Sequence, residues 1–206
     1  MCGILGICLD NRTRTEDDLV NIKADFANIL LESQVRGTDA TGVYIVNRDS
    51  GISYLKAPVD ADEMVWSTND KTGFWKALDA KVGPDTVAII GHTRAATTKA
   101  GDKPLTTSVI AKVYPELVGP AAIAVADTRQ TDRVFLARNY NPINITRERD
   151  AGILMFASTA EILKSALGDD IKTFSMPENT VCVVNHESVS GNLVYVPIKG
   201  TQASSP

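Results

Sequence analysis

At 206 residues, 44% of them hydrophobic and 22% charged, the chain has the size and balance of one globular domain with a substantial core, not of a disordered protein. The net charge is −4 and basic residues never cluster, so the electrostatic footprint of a nucleic-acid partner is missing. No apolar run approaches the roughly 18 residues needed to span a bilayer and no charged lead precedes a long apolar segment, so no membrane partner and a cytoplasmic location are expected.

The chain opens Met1-Cys2-Gly3-Ile4. Removal of Met1 would leave a cysteine that carries a thiol and a free α-amine on one residue, with reference pKa values of about 8.5 and about 7.7–8.0. The thiolate is the attacking form and the amine can relay its proton, so such a terminus can do acyl chemistry without a triad. On two residues alone, an accidental Met-Cys start explains the pattern as well. Ile4 to Leu9 is a short apolar run closed by Asp10-Asn11, which predicts a buried strand that roots Cys2 at the edge of a sheet. Thr15 followed by Glu16, Asp17 and Asp18 predicts a helix start. Leu19, Ile22, Phe26, Ile29 and Leu30 then recur at helical spacing, to about Ser33.

Arg36-Gly37-Thr38-Asp39-Ala40-Thr41-Gly42 reads by itself as a helix-to-strand connection with a glycine cap. Val43 to Val46, a turn at Arg48-Asp49-Ser50-Gly51 and Ile52 to Leu55 predict a hairpin. Between Ala57 and Gly83, Trp66, Phe74, Trp75 and Leu78 suggest one or two short helices with both tryptophans in the core. Thr86 to Ile90 is a buried strand running into Gly91-His92-Thr93-Arg94-Ala95-Ala96-Thr97, and polar residues massed at the end of an apolar strand can present chemistry at a cleft. A lone His or Arg in that place more often serves as a structural hydrogen-bonder. A polar loop over Lys99 to Ser108 and a brief helix within Val109 to Leu117 come next. Strands are predicted at Ala121 to Ala126, Arg133 to Ala137, Ile143 to Thr146 and Ile153 to Phe156, paired antiparallel because their connections are short. Ser158-Thr159-Ala160-Glu161 reads as a capping box opening a helix through Leu167. Thr180 to Val184 and Leu193 to Val196 supply two more strands, and Gly200 to Pro206 a frayed tail. This order of elements gives an α+β domain over residues 2–197 with a flexible tail, 198–206. Three cysteines, Cys2, Cys8 and Cys182, argue against a disulfide framework. Two histidines, His92 and His186, with no close Cys/His pairs argue against a zinc site, so neither metal nor cofactor is expected.

Taken together, Cys2-Gly3-Ile4, the Arg36 to Gly42 segment and the Gly91 to Thr97 segment resemble the class II glutamine amidotransferase domain, a branch of the N-terminal nucleophile hydrolases. Arg138-Asn139-Tyr140-Asn141-Pro142 and Phe156-Ala157-Ser158 extend the resemblance, which runs from Cys2 to about Pro197. It implies a four-layer αββα sandwich, two antiparallel sheets between helices. It also implies hydrolysis of the glutamine side-chain amide through a thioester on Cys2, with ammonia passed to a partner synthase. Arg94 matches the arginine that holds the substrate α-carboxylate, Thr97 a threonine lining the same pocket, and Arg36 a residue that orders the glycine segment. His92 would be an orienting residue, not the base.

The pattern departs from the family in one place. Members continue with an Asn-x-His-Pro stretch and a His-Asn-Gly segment whose Asn side chain and Gly amide form the oxyanion hole, and then an Asp that binds the substrate amine. No Asn-Gly dipeptide occurs here, the Ala121 strand follows Thr98 within about twenty-five residues, and Asp102 is the only acid of the Thr98 to Ser108 loop. Three readings stand: a relative that keeps the fold with little turnover; a substitute hole from backbone amides near Gly3 or in the Lys99 to Leu105 loop; or a parent protein with a longer loop. A non-catalytic interaction or structural protein using the same sandwich is the alternative function.

Overall fold

The computed structural model describes residues 3–93 and 120–198. Its centre is β1 (Gly3–Leu9), every residue of which is buried. β1 hydrogen-bonds on one side to β4 (Thr86–Thr93) and on the other to β8 (Ile153–Ala157), antiparallel to both. Outward from β4 lie β2 (Thr41–Asn47) and β3 (Gly51–Ala57), the expected hairpin. Outward from β8 lie β7 (Asn144–Glu148) and the three-residue β9 (Thr173–Ser175). The seven-stranded order is thus β3-β2-β4-β1-β8-β7-β9. The buried strand expected over Ile4 to Leu9 is β1, and its uninterrupted apolar run reflects burial on both faces, as a middle strand requires; the expected placement of Cys2 lies outside the described residues.

A second antiparallel sheet, ordered β11-β10-β6-β5, lies against the first. It comprises β5 (Ala122–Asp127), β6 (Gln130–Arg138), β10 (Thr180–Asn185) and β11 (Tyr195–Pro197). The inward residues of both sheets, among them Ile4, Cys8, Ile90, Leu154 and Phe156 from one and Val134, Leu136, Cys182 and Val184 from the other, form one apolar layer. The other face of the large sheet, carrying Leu5, Ile7, Leu9, Val43 and Ile89, is covered by helices. α1 (Glu16–Glu32) buries Ile22, Phe26, Ile29 and Leu30 there, and its start is fixed by a capping box between Thr15 and Asp18. α2 (Ala61–Trp66), α3 (Phe74–Lys81) and α4 (Ala160–Leu167) complete that layer. The α+β class and the face-to-face antiparallel sheets with helices are as the sequence led one to expect. The helix expected within 109–117 lies outside the described residues, as does the tail from 199 onward.

Trp66 is not in the core but 65% exposed. Ala61, Met64 and Val65 take the inward positions of α2, which turns the next residue out. Trp75 is partly buried and donates its indole N–H to the Val65 carbonyl (3.0 Å). Two elements without a sequence signal are β9 and α5 (His186–Ser190), a five-residue helix capped by Asn185 and Ser188 and anchored by Val189.

At the far end of β1, Asp10 accepts paired hydrogen bonds from Arg12 (Nη2–Oδ2 2.8 Å, Nε–Oδ1 2.9 Å), one from Arg14 (3.1 Å) and one from Ser190 (2.9 Å). Burial raises the Asp10 pKa, but the bonds from Arg12 and Ser190 outweigh it and hold the carboxyl down at about 2. Gly152, at φ +65°, belongs to this cluster: a Cβ there would lie 2.2 Å from Asp10 Oδ2. The β7–β8 turn can therefore close over the carboxylate only with glycine at that position.

Candidate functional site

The opposite end of β1 is where the three sequence segments meet. Thr93, the last residue of β4, is the Cα partner of Gly3 on one side and of Thr41 on the other. The segments that begin at Cys2, end at Gly42 and follow Gly91 are thus neighbouring strands of one sheet at the same level. Fully buried Thr93 donates its hydroxyl to the Ser33 carbonyl (2.9 Å). Ser33 opens a 3-10 turn, Ser33–Arg36, which continues α1 and brings Arg36 to the same corner.

The corner has no space left at position 3. A Cβ on Gly3 would stand 2.5 Å from Thr93 Oγ1, 3.0 Å from Arg36 Cβ and 3.2 Å from the Ser33 carbonyl oxygen. Glycine is required after Cys2 by close approach, not by an unusual backbone angle. Gly91 of β4 lies beneath Leu5, and Gly6 of β1 itself beneath Phe156, where added Cβ atoms would meet side-chain carbons at 2.8 Å and 2.6 Å respectively.

The β1–β8 ladder ends at Leu5 and Ala157, and beyond it a side chain takes over. Buried Ser158 accepts from the Ile4 N–H (2.9 Å) and donates to the Ile4 carbonyl (3.3 Å). This corrects the cap assignment: α4 is capped by Thr159, whose hydroxyl accepts from the Ile162 N–H. Ser158 is instead spent on the strand that leads to Cys2. A β-strand's last unpaired groups need a partner when buried, and a serine at the end of the neighbouring strand supplies it. Ser33 contributes a further polar atom, a buried hydroxyl with no hydrogen-bond partner among the described residues.

Of the site residues expected from sequence, Arg36 is half-buried in the 3-10 turn, alongside Gly3. Cys2, Arg94 and Thr97 lie outside the described residues. His92 is half-buried and pairs with Ile4 and Gly42, one position back from Thr93 and so on the opposite face of the sheet, with Ile4. Arg138 holds the connection after β6 together, donating to the carbonyls of Met176 (2.8 Å), Asn139 (3.1 Å) and Tyr140 (3.2 Å). Thr93 and Ser158 were not singled out from the sequence as positioning residues. Their signal was position alone, one inside the Gly91 to Thr97 segment and one directly after the apolar run of β8. The remaining thiols, Cys8 and Cys182, are buried and free. Burial pushes both up, Cys182 to about 12, so neither is a nucleophile near neutral pH. Among the described residues no group of three or more potential metal ligands is present, and no helix is long and apolar enough to cross a membrane.

The two stacked antiparallel sheets with their helices are a fold that solved structures share. The glutamine phosphoribosylpyrophosphate amidotransferase of B. subtilis, solved with ADP and GMP, matches over 96% of this chain and 49% of its own, with a TM-score of 0.52 at 13% identity. A structure described as the allosteric regulatory enzyme of purine biosynthesis matches with a TM-score of 0.58 at 12% identity, again over 96% of this chain and 49% of its own. At such identities the likeness is one of fold. Among curated proteins, a 7-cyano-7-deazaguanine synthase of Saccharolobus solfataricus is 20% identical over 235 aligned residues, 92% of this chain and 50% of that protein. The chain therefore spans about half the length of the proteins it is similar to. No protein-family model matches it.

Proposed function

We propose that the chain is a class II glutamine amidotransferase-type glutaminase, hydrolysing the glutamine side-chain amide at Cys2 and delivering ammonia to a partner synthase. The observation that supports this most is the pairing of Gly3 with Thr93. Gly3 and Thr93 are Cα partners, and each directly adjoins in sequence one of the two residues to which the resemblance gives the nucleophile and the carboxylate-binding roles.

In the proposed reaction Met1 has been removed and the Cys2 sulfur attacks the amide carbon. The α-amine takes the thiol proton and returns it to the departing nitrogen, which leaves as ammonia. Water then attacks the thioester, releasing glutamate and restoring the thiol. Arg94 pairs with the substrate α-carboxylate through its two parallel donors, Thr97 lines the same pocket, and Arg36 orders the glycine segment above the sulfur. The oxyanion would be met by backbone amides near Gly3 or in the Lys99 to Leu105 loop.

The test combines three measurements on the full chain. Intact mass should show loss of Met1. Glutamate release from glutamine should be measurable and should vanish in Cys2→Ala. A glutamine-like diazoketone should add one adduct, at Cys2, with the buried Cys8 and Cys182 untouched. Retained Met1, or an adduct at Cys8, would overturn the assignment. A processed chain with neither turnover nor adduct would favour the second reading, a non-catalytic protein of the same fold, which the absence of an Asn-Gly dipeptide also favours.

A further inference from the structure

Along one open side of the sandwich, β9 is the last strand of the large sheet and β11 the last strand of the small one. Between them lies a cleft of about 750 Å³, lined by Arg147 of β7, by Arg149 and Lys172, and by Phe174, Leu193 and Tyr195. No carboxylate lines it, and no ion pair among the described residues involves these three cations. Glu148, between Arg147 and Arg149, acts instead on Asp25 of α1, so it faces the helical side of the sheet. In a chain of net charge −4, three positive groups are gathered without a counter-charge.

Arg147 is held in place. Its Nη1 donates to the Gly191 carbonyl (2.6 Å), and its guanidinium carbon is 5.7 Å from the centre of the Phe174 ring. Its Nε is buried with no hydrogen-bond partner. Nη2 has no partner among the described residues, which leaves an oriented donor. Burial, and after it the neighbouring Arg149 charge, push the guanidinium below its ordinary pKa. Phe174 is 40% exposed and Tyr195 half-buried, so aromatic surface borders the charges.

We propose that this cleft binds a phosphorylated small molecule bearing a flat ring, of the nucleoside phosphate class, with the phosphate on Arg147, Arg149 and Lys172 and the ring against Phe174 and Tyr195. A fixed guanidinium with two flexible cations suits a phosphate group. The cleft's volume is far more than an inorganic anion needs and falls in the range of pockets for organic ligands. Exposed aromatic faces beside cations favour a stacked base. Arg147 pairs across the ladder with Leu154, toward the Asp10 end of β1, so the cleft is remote from the Gly3 corner and independent of the reaction proposed there.

The experiment is calorimetric titration of the full chain with AMP as the probe, beside adenosine, inorganic phosphate and hexaglutamate. AMP should bind saturably, adenosine should give no saturable heat, and phosphate should bind at least about tenfold more weakly than AMP. Arg147→Ala and Lys172→Glu should each weaken AMP by roughly tenfold or more, Lys172→Glu being an exposed change that leaves the fold intact, while Lys76→Ala on α3 should have no effect. No saturable AMP binding, or binding indifferent to both substitutions, would overturn the proposal. So would phosphate binding as tightly as AMP, which would mark a simple anion site, or hexaglutamate binding in place of AMP, which would mark a docking surface for an acidic protein.

Discussion

Adding one methyl group at position 3 gives the most direct test of how the candidate site is built. In Gly3→Ala the new carbon would sit 2.5 Å from Thr93 Oγ1, against an optimum of roughly 3.5–4.0 Å for such contacts. Thr93 cannot swing away cheaply, because it is fully buried and its hydroxyl is committed to the Ser33 carbonyl. Overpacking of a filled site costs about 1–3 kcal/mol, and breaking the Thr93 bond costs about 1 kcal/mol more. The expected loss is therefore about 2–4 kcal/mol. Thr93→Ala alone should cost about 1–2 kcal/mol through the lost hydrogen bond and a small void. Since it removes the atom that the added methyl would strike, the double variant should be more stable than the sum of the singles by about 1–2 kcal/mol. Contacts to Arg36 Cβ and the Ser33 carbonyl would keep the recovery incomplete. Urea unfolding of the four proteins, with unchanged m-values, measures all of this. A Gly3→Ala loss below about 0.5 kcal/mol, or strict additivity, would refute the packed corner.

Three further substitutions probe other parts of the molecule. Ser158→Ala leaves the Ile4 N–H and carbonyl buried without the side chain that now bridges them, and should cost about 1–3 kcal/mol in the same unfolding assay. Asp10 is held near 2, below its unfolded value of about 3.9, so its stabilisation is complete above that value and is lost as pH falls through about 2. Asp10→Asn should remove on the order of 1–2 kcal/mol at pH 7, screening on the Arg12 side included, and should flatten the acid limb of the stability curve. Asp25 runs the other way: burial, then Glu148, lift it to about 6, so its ionisation opposes folding and stability should rise as pH drops from 7 toward 4. Asp25→Asn should be more stable than the parent at pH 7.5 and show no advantage at pH 4, read by thermal unfolding at both values.

The parts of the fold legible in the sequence are those with a long period or a strong stop. The Leu19 to Leu30 stripe with Thr15 and its acids gave α1 within a residue at each end. The Arg48 to Gly51 turn gave the β2–β3 hairpin. Short elements were invisible for a physical reason: α5 buries one side chain, Val189, and β9 is a three-residue edge, so neither repeats a pattern. The capping motif was shifted by one because Ser158 and Thr159 are equally good caps in isolation, and only the unpaired Ile4 backbone decides between them. For the site, the sequence supplied the three segments but not that Gly3, Thr93 and Thr41 stand side by side, since register arises from tertiary pairing.

That β1 occupies the middle of the large sheet also shapes how the protein must be made. During synthesis β1 leaves the ribosome before either neighbour exists, and the bond from Ile4 to Ser158 closes a loop of 154 positions. Until then an all-apolar segment has no sheet to join, a topology that favours slow folding and exposes the nascent chain to aggregation.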